Sequence, residues 1–182
     1  MPPLPIERIR TARLDLVPLR PDDAAEMVVV LADPSLYTFT GGTPPDLATL
    51  RERYERQAVG HSPDASEQWL NWIARLRASG RAVGYVQATM RPAARKADVA
   101  WLIGAPWQGR GLACEAAVAL ADWLLAAGVG TIEAHIHPAH QASAMVARRA
   151  GLTATGTFDA DGEQIWRLEP SLDPGAGPAP AP

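Results

Sequence analysis

The stretch PWQGRGLACEAA, Pro106 to Ala117, restricts this chain more than any other, because it runs a glycine-bearing turn directly into an apolar-striped helix. It follows a strand-like run, ADVAWLIG, from Ala97 to Gly104. Gly109 and Gly111 have no Cβ, so the backbone can turn tightly and present successive N–H groups to a ligand oxygen. The first turn of a helix leaves about four N–H donors unpaired beside a partial positive charge. A diphosphate satisfies both. Arg110 adds a cation whose planar fork suits phosphate. The residue types at this point suit a phosphate-bearing cofactor.

Two other readings compete. A Gly-x-Gly before a helix also serves as a plain strand-to-helix turn. Gly109-Arg110-Gly111-Leu112-Ala113-Cys114 is also one glycine short of the dinucleotide fingerprint G-x-G-x-x-G, with Glu133 downstream for a ribose contact. Against a dinucleotide fold, Ala105-Pro106-Trp107-Gln108 separates the turn from its strand, and the upstream pattern is one of antiparallel strands.

Gln108-Gly109-Arg110-Gly111-Leu112-Ala113 resembles the Q/R-x-x-G-x-G/A signature of the GNAT superfamily of acyl-CoA N-acyltransferases, and Trp107 to Ala116, with its Glu115-Ala116 pair, resembles the RimJ/RimL-like branch. A second block, HIHPAHQASAMVARRAGL from His135 to Leu152, resembles that family's strand, N-x-x-S and short helix ending in Gly-Phe. The resemblance runs from about Arg10 to Pro170. Three positions depart from it: His140 stands for the usual Asn, Leu152 for Phe, and Ala147 for a tyrosine acid. The resemblance implies an α/β (α+β) GNAT fold, a mixed and mostly antiparallel twisted sheet of about six to seven strands with about four helices. Its central strands would splay to hold CoA. It also implies acetyl-CoA as cosubstrate, held by Leu102 and Ile103 through backbone amides and by Gln108, Gly109, Arg110, Gly111, Leu112, Ala113, His140 and Ser143.

Composition narrows the partners. With 182 residues the chain suits one domain with a proper core. A net charge of −3 and a pI near 5.8 supply no basic field for nucleic acid. The single cysteine, Cys114, excludes an internal disulfide and a Cys-based zinc site, and it suits a packed position on the cofactor helix. No apolar run approaches the roughly 20 residues of a membrane span, and no leader pattern opens the chain. A cytoplasmic protein is expected, with no nucleic-acid or membrane partner, and a homodimer is left open.

The Pro-rich ends lack a burial pattern, so residues 1–9 and 171–182 are expected to be disordered around a single domain at 10–170. Within it, Leu14 to Leu19 alternates like a strand. Pro21 to Leu31 and Pro44 to Val59 predict helices around an aromatic, Gly-rich loop, LYTFTGGT. Trp69–Leu76, Ala82–Met90 and Ala97–Ile103 predict a meander. The apolar spacing predicts a helix over Gly111–Ala127 ended by Gly128. A strand at Thr131–His137, a helix at Gln141–Ala150 and a hairpin at Thr153–Phe158 and Gln164–Leu168 follow.

Acyl transfer to an amine needs a base, an oxyanion site and an acid for the leaving thiolate. By resemblance, Asp98, ten residues before Gln108, is the candidate base, with an arginine-paired surface acid as its other reading. Asp159, Asp161 and Glu163 cluster at the closing hairpin, and Glu133, His135 and His137 share one strand face. Ser143 either caps a helix or, by resemblance, protonates the thiolate in place of the tyrosine missing at Ala147. His135, His137 and His140 lack a further ligand for zinc, so no metal is expected. The aromatics suit a core, with one or two left to wall an acceptor pocket. These features together predict an acetyl-CoA-dependent N-acetyltransferase moving an acetyl group to a primary amine, of a protein N-terminus or a small molecule, in a ternary complex. The alternative is a non-catalytic acyl-CoA-binding or sensing module of the same fold.

Overall fold

Caps and apolar stripes set the four helices of the computed structural model, which describes residues 2–169. A 3-10 turn at Pro21–Asp23 leads into α1 (Ala24–Val30), which buries Ala24, Met27 and Val30. Asp46 accepts the Thr49 N–H at 2.8 Å and so opens α2 (Leu47–Ala58), whose buried residues, Leu50 and Tyr54, lie one turn apart. In α3 (Leu112–Ala126) the stripe Leu112, Ala116, Leu120, Leu124 is buried. The helix stops at Gly128, at φ +85°, where the Val129 N–H donates back to the Leu124 carbonyl at 3.0 Å. That six-to-one bond is the glycine stop the sequence predicts. α4 (Gln141–Arg149) ends the same way, with Gly151 at φ +86° and Leu152 bonded to Ala147.

The strands are β1 (Ile9–Arg10), β2 (Leu14–Pro18), β3 (Gln68–Leu76), β4 (Ala82–Arg91), β5 (Lys96–Ile103), β6 (Thr131–Ile136), β7 (Thr153–Phe158) and β8 (Gln164–Leu168). They form one sheet in the order β1-β2-β3-β4-β5-β6-β8-β7. Every pairing is antiparallel except β5 with β6. Helices α1 and α2 cover one face and α3 and α4 the other. Adjacent β3 residues show this alternation: Trp72 meets Trp123 of α3 edge-on at 5.3 Å, while Asn71 lies among Leu50 and Tyr54 of α2.

Two features shape the site. The parallel pairing of β5 with β6 holds only at Lys96, Ala97 and Asp98 against Thr131, Ile132 and Glu133. Beyond it the strands part, leaving a wedge between Val99–Ile103 and Ala134–Ile136. On the other side of β5, a Cβ placed on Gly84 would stand 2.0 Å from the Leu102 carbonyl oxygen. Only glycine allows β4 to approach β5 this closely.

Two expectations are corrected. The sheet has eight strands, because two-residue β1 pairs with β2 through Ile9 and Leu16. Residues 4–9 are also docked. The Gln68 side-chain amide bonds both the N–H and the carbonyl of Leu4, at 2.9 and 2.7 Å, and the Trp72 indole N–H donates to Glu7 O at 2.8 Å. Backbone polar groups met by donors and acceptors on β3 order the segment, and Leu4 and Ile9 add apolar contacts to the core. The expectation for 171–182 falls outside the described residues.

Candidate active site

The turn before α3 is set by two left-handed glycines, Gly109 at φ +72° and Gly111 at φ +74°, the latter serving as the helix N-cap. Among the described residues, the N–H groups from Gly109 to Cys114 have no protein acceptor. Gln108 ties the turn to its strand, its Nε2 donating to the Ile103 carbonyl at 2.8 Å. The Arg110 carbonyl accepts from Arg13 Nη1 at 2.8 Å, while the Arg110 side chain is exposed.

Arg13 and Glu115 lock this turn. One Glu115 oxygen accepts from the Arg13 backbone N–H at 2.7 Å and the Thr11 hydroxyl at 2.5 Å, and the other from Arg13 Nε at 2.6 Å. Burial by itself would raise the Glu115 pKa. The bonds from Thr11 and Arg13, together with the guanidinium charge, hold it below the usual 4.5. Arg13 thus neutralises the acid beside the glycine turn and brings a second cation next to Gly111. Sequence reasoning missed Arg13, and the Glu115 that follows the glycine pair was its only signal.

The wedge opens beside this turn as a cleft of about 460 Å³, counted out to its mouth. Val99, Ala100 and Trp101 line it from β5, Ala134 to His137 from β6, and His140 and Ser143 from α4. The Gly104 N–H bonds the Val83 carbonyl on β4. By the antiparallel alternation, Leu102 therefore directs its backbone groups at Tyr85 on β4, and Val99, Trp101 and Ile103 direct theirs into the wedge. The expectation that Leu102 offers its backbone to the cofactor is corrected on this point, since those groups pair with β4.

Ser143 lies in the first turn of α4 but does not cap it, since the N-cap is His140 and no side-chain cap bond forms there. Its hydroxyl instead accepts from the Trp101 indole at 3.1 Å, across the cleft wall. Ala147 is fully buried, so Ser143 supplies the hydroxyl on this side. Phe39, from the α1–α2 loop, stacks on His140 with ring centroids 4.4 Å apart and tilts against His137. Burial, and secondarily the neighbouring His137, lower the His140 pKa from 6.5 and favour its neutral form.

His135 meets Asp159, Nδ1 to Oδ2, at 2.6 Å. The other Asp159 oxygen accepts the N–H groups of Asp161 and Glu163, so the hairpin turn itself aims the carboxylate. His135 and those two N–H groups hold Asp159 below its usual 3.8. With Asp159 held as a carboxylate, Nδ1 is the donor of that bond, and Nε2 stands 3.9 Å from Glu133 Oε2.

Asp98 sits where β5 and β6 still pair, at the closed end of the wedge and outside the residues that line the cleft. Arg91 binds its Oδ2, and Lys96 stands 3.7 Å from its Oδ1. Glu133, nearly buried, is held by Lys96 at 2.5 Å and by Arg167 at 2.8 Å. Burial works against its charge, but these two cations keep its pKa below 4.5. Asp98, Glu133 and His135 do bring ligand atoms within 4.8 Å of one another. The Lys96 ammonium already places a positive charge among them.

The comparisons agree with this geometry. A family model described as an acetyltransferase (GNAT) domain matches residues 13–153. No curated protein sequence matches the chain. An acetyltransferase from Agrobacterium tumefaciens str. C58 is 27% identical, with a TM-score of 0.70, over 93% of this chain and 98% of that one. RimL, a ribosomal L7/L12 α-N-protein acetyltransferase solved with coenzyme A, has a TM-score of 0.77 at 16% identity, over 90% and 98%. Mycobacterium smegmatis RimJ, in complex with CoA-disulfide, has a TM-score of 0.73 at 19% identity, over 88% and 84%. No helix among the described residues is long and apolar enough to cross a membrane. Free donors at the α3 turn, a sheet opened beside them and a family match over most of the length lead to one assignment: the chain belongs to the GNAT acetyltransferase domain family.

Proposed function

We propose that the chain transfers an acetyl group from acetyl-CoA directly to a primary amine, on a protein N-terminus or a small molecule, within a ternary complex. The observation that carries this reading is the parting of β5 from β6 beside the unpaired N–H groups of Gly109 to Cys114. Those donors, with Arg110 and Arg13, hold the diphosphate. The wedge-facing backbone of Val99, Trp101 and Ile103 takes the pantetheine arm and donates to the thioester oxygen as it gains charge.

We assign the proton transfers to groups that line the cleft. His135 Nε2 takes the proton lost by the attacking amine, with Asp159 fixing the ring and stabilising the imidazolium. A carbon–nitrogen bond forms and the carbon–sulfur bond breaks. Ser143, which accepts the Trp101 N–H, hands its proton to the departing thiolate and is reprotonated from solvent, to which His135 releases the proton it took from the amine. Asp98, engaged by Arg91, belongs to the ion network instead. His140 closes the cofactor side of the cleft where the family places Asn.

Each charge-assisted bond from an amide to phosphate contributes roughly 1.5–3 kcal/mol. A few of them supply much of the roughly 8 kcal/mol behind micromolar affinity. Gly111→Val puts a β-branched side chain at φ +74°, against Arg13 Nη2. Calorimetry on the folded variant should show acetyl-CoA affinity reduced at least tenfold. Unchanged affinity would remove this turn from the cofactor site.

A further inference from the structure

A second cleft lies under α2, on the face of the sheet that α1 and α2 cover, walled by Leu50, Arg53, Tyr54, Asn71, Tyr85 and Gln87. Its chemistry is unusual in one respect. The Tyr54 side chain is only 3% exposed, yet its hydroxyl has no hydrogen-bond partner among the described residues. A buried O–H without an acceptor costs roughly 1–3 kcal/mol, which an acceptor entering the cleft would recover. Arg53, on the same wall, makes no ion pair among the described residues. The acids near it are engaged elsewhere: Asp22 and Glu55 with Arg51, and Asp23 with Arg75. An unpaired guanidinium, a free phenol and the amides of Asn71 and Gln87 together form an anion-accepting lining.

This cleft adjoins the wedge. Asn71 on β3, Gln87 on β4 and Ala100 on β5 lie in register across three neighbouring strands, and Ala100 lines the acetyl-transfer cleft. At about 4.8 Å between strands, Gln87 is about 5 Å and Asn71 about 10 Å from that wall. Resting on the transferase reading above, we propose that this cleft is an acceptor subsite for a carboxylate carried about 5–10 Å from the reacting amine, with Arg53 binding one oxygen and the Tyr54 hydroxyl donating to the other. An extended residue spans about 3.3–3.6 Å, so the acceptor that fits is a peptide N-terminus with Asp or Glu at its second or third position. An acceptor rich in further cations meets Arg53 and is disfavoured.

The test compares acetylation of Ala-Glu-Ala-amide, Ala-Gln-Ala-amide and Ala-Lys-Ala-amide by the full chain, read as kcat/KM from thiol release. The acidic peptide should exceed its Gln counterpart at least tenfold, with the Lys peptide lowest. Arg53→Gln should bring the Glu/Gln ratio to within about twofold, and Tyr54→Phe should reduce it severalfold. Equal rates for Glu and Gln peptides in the wild type overturn the subsite, as does an Arg53→Gln variant that keeps the full ratio. Calorimetry of the same peptides on the CoA-saturated chain reads the subsite without turnover. A tenfold preference for the Glu peptide that Arg53→Gln abolishes supports it, and equal binding overturns it. A chain that binds the acidic peptide selectively but acetylates none of the three keeps the subsite and loses the transferase reading.

Discussion

His135 and Asp98 bring ligand atoms within 4.8 Å of each other, and what separates them as candidate bases is their partners. Asp98 gives its Oδ2 to Arg91 at the closed end of the wedge and keeps Oδ1 buried without a hydrogen bond among the described residues, whereas His135 lines the cleft and is oriented by Asp159. His135→Gln should lower kcat by roughly 10²- to 10⁴-fold near neutral pH. Asp98→Asn should cost stability and leave kcat within severalfold. The opposite pattern, a normal His135→Gln rate with a collapsed Asp98→Asn rate, would falsify the assignment. The glycine turn was legible because its information is local: two glycines, an arginine and the helix that follows. The ties that complete the site are not local. Arg13 reaches Glu115 across 102 positions, Trp101 reaches Ser143 across 42 and His135 reaches Asp159 across 24. Residue type marked Ser143, His135 and Asp159 as candidates and passed over Arg13, and only the fold supplied the partners, which is why Ser143 stayed open between cap and acid and Asp98 between base and ion-paired acid.

At the scale of elements, the helices and long strands were legible from period and punctuation. The α3 stripe, the Asp46 cap and the stops at Gly128 and Gly151 are each set within a few residues. Two-residue β1 was not, because it holds only through its register with β2 and the neighbouring bonds from Gln68 and Trp72. The element that matters most is β5, pressed against β4 on one side and released from β6 on the other. Gly84 permits the pressing. Gly84→Ala must push the Leu102 backbone aside, and overpacking of this kind costs roughly 1–3 kcal/mol. Since Ile103 and Trp101 share that strand, acetyl-CoA affinity should fall severalfold along with the melting temperature. A variant with normal stability and affinity would show that β5 is positioned by other contacts.

Across the whole molecule, the sheet is joined at its middle by three residue pairs, Lys96–Thr131, Ala97–Ile132 and Asp98–Glu133, with α3 against α4 as the other bridge. A short seam of this kind opens at lower free energy than the core on either side. Acetyl-CoA at 100 times its Kd stabilises any state that binds it over one that does not by about 2.7 kcal/mol. Hydrogen exchange of β6 and β8 should therefore slow about a hundredfold on saturation, with β2 and β3 changing far less. Uniform protection across the sheet would show that the two halves open together. Where β6 to β8 open alone, a protease that cuts the released hairpin samples a population set by the cosubstrate. Cleavage of the β7–β8 hairpin by an added protease should then slow as acetyl-CoA is raised, so that the cosubstrate sets how long the chain survives in the assay.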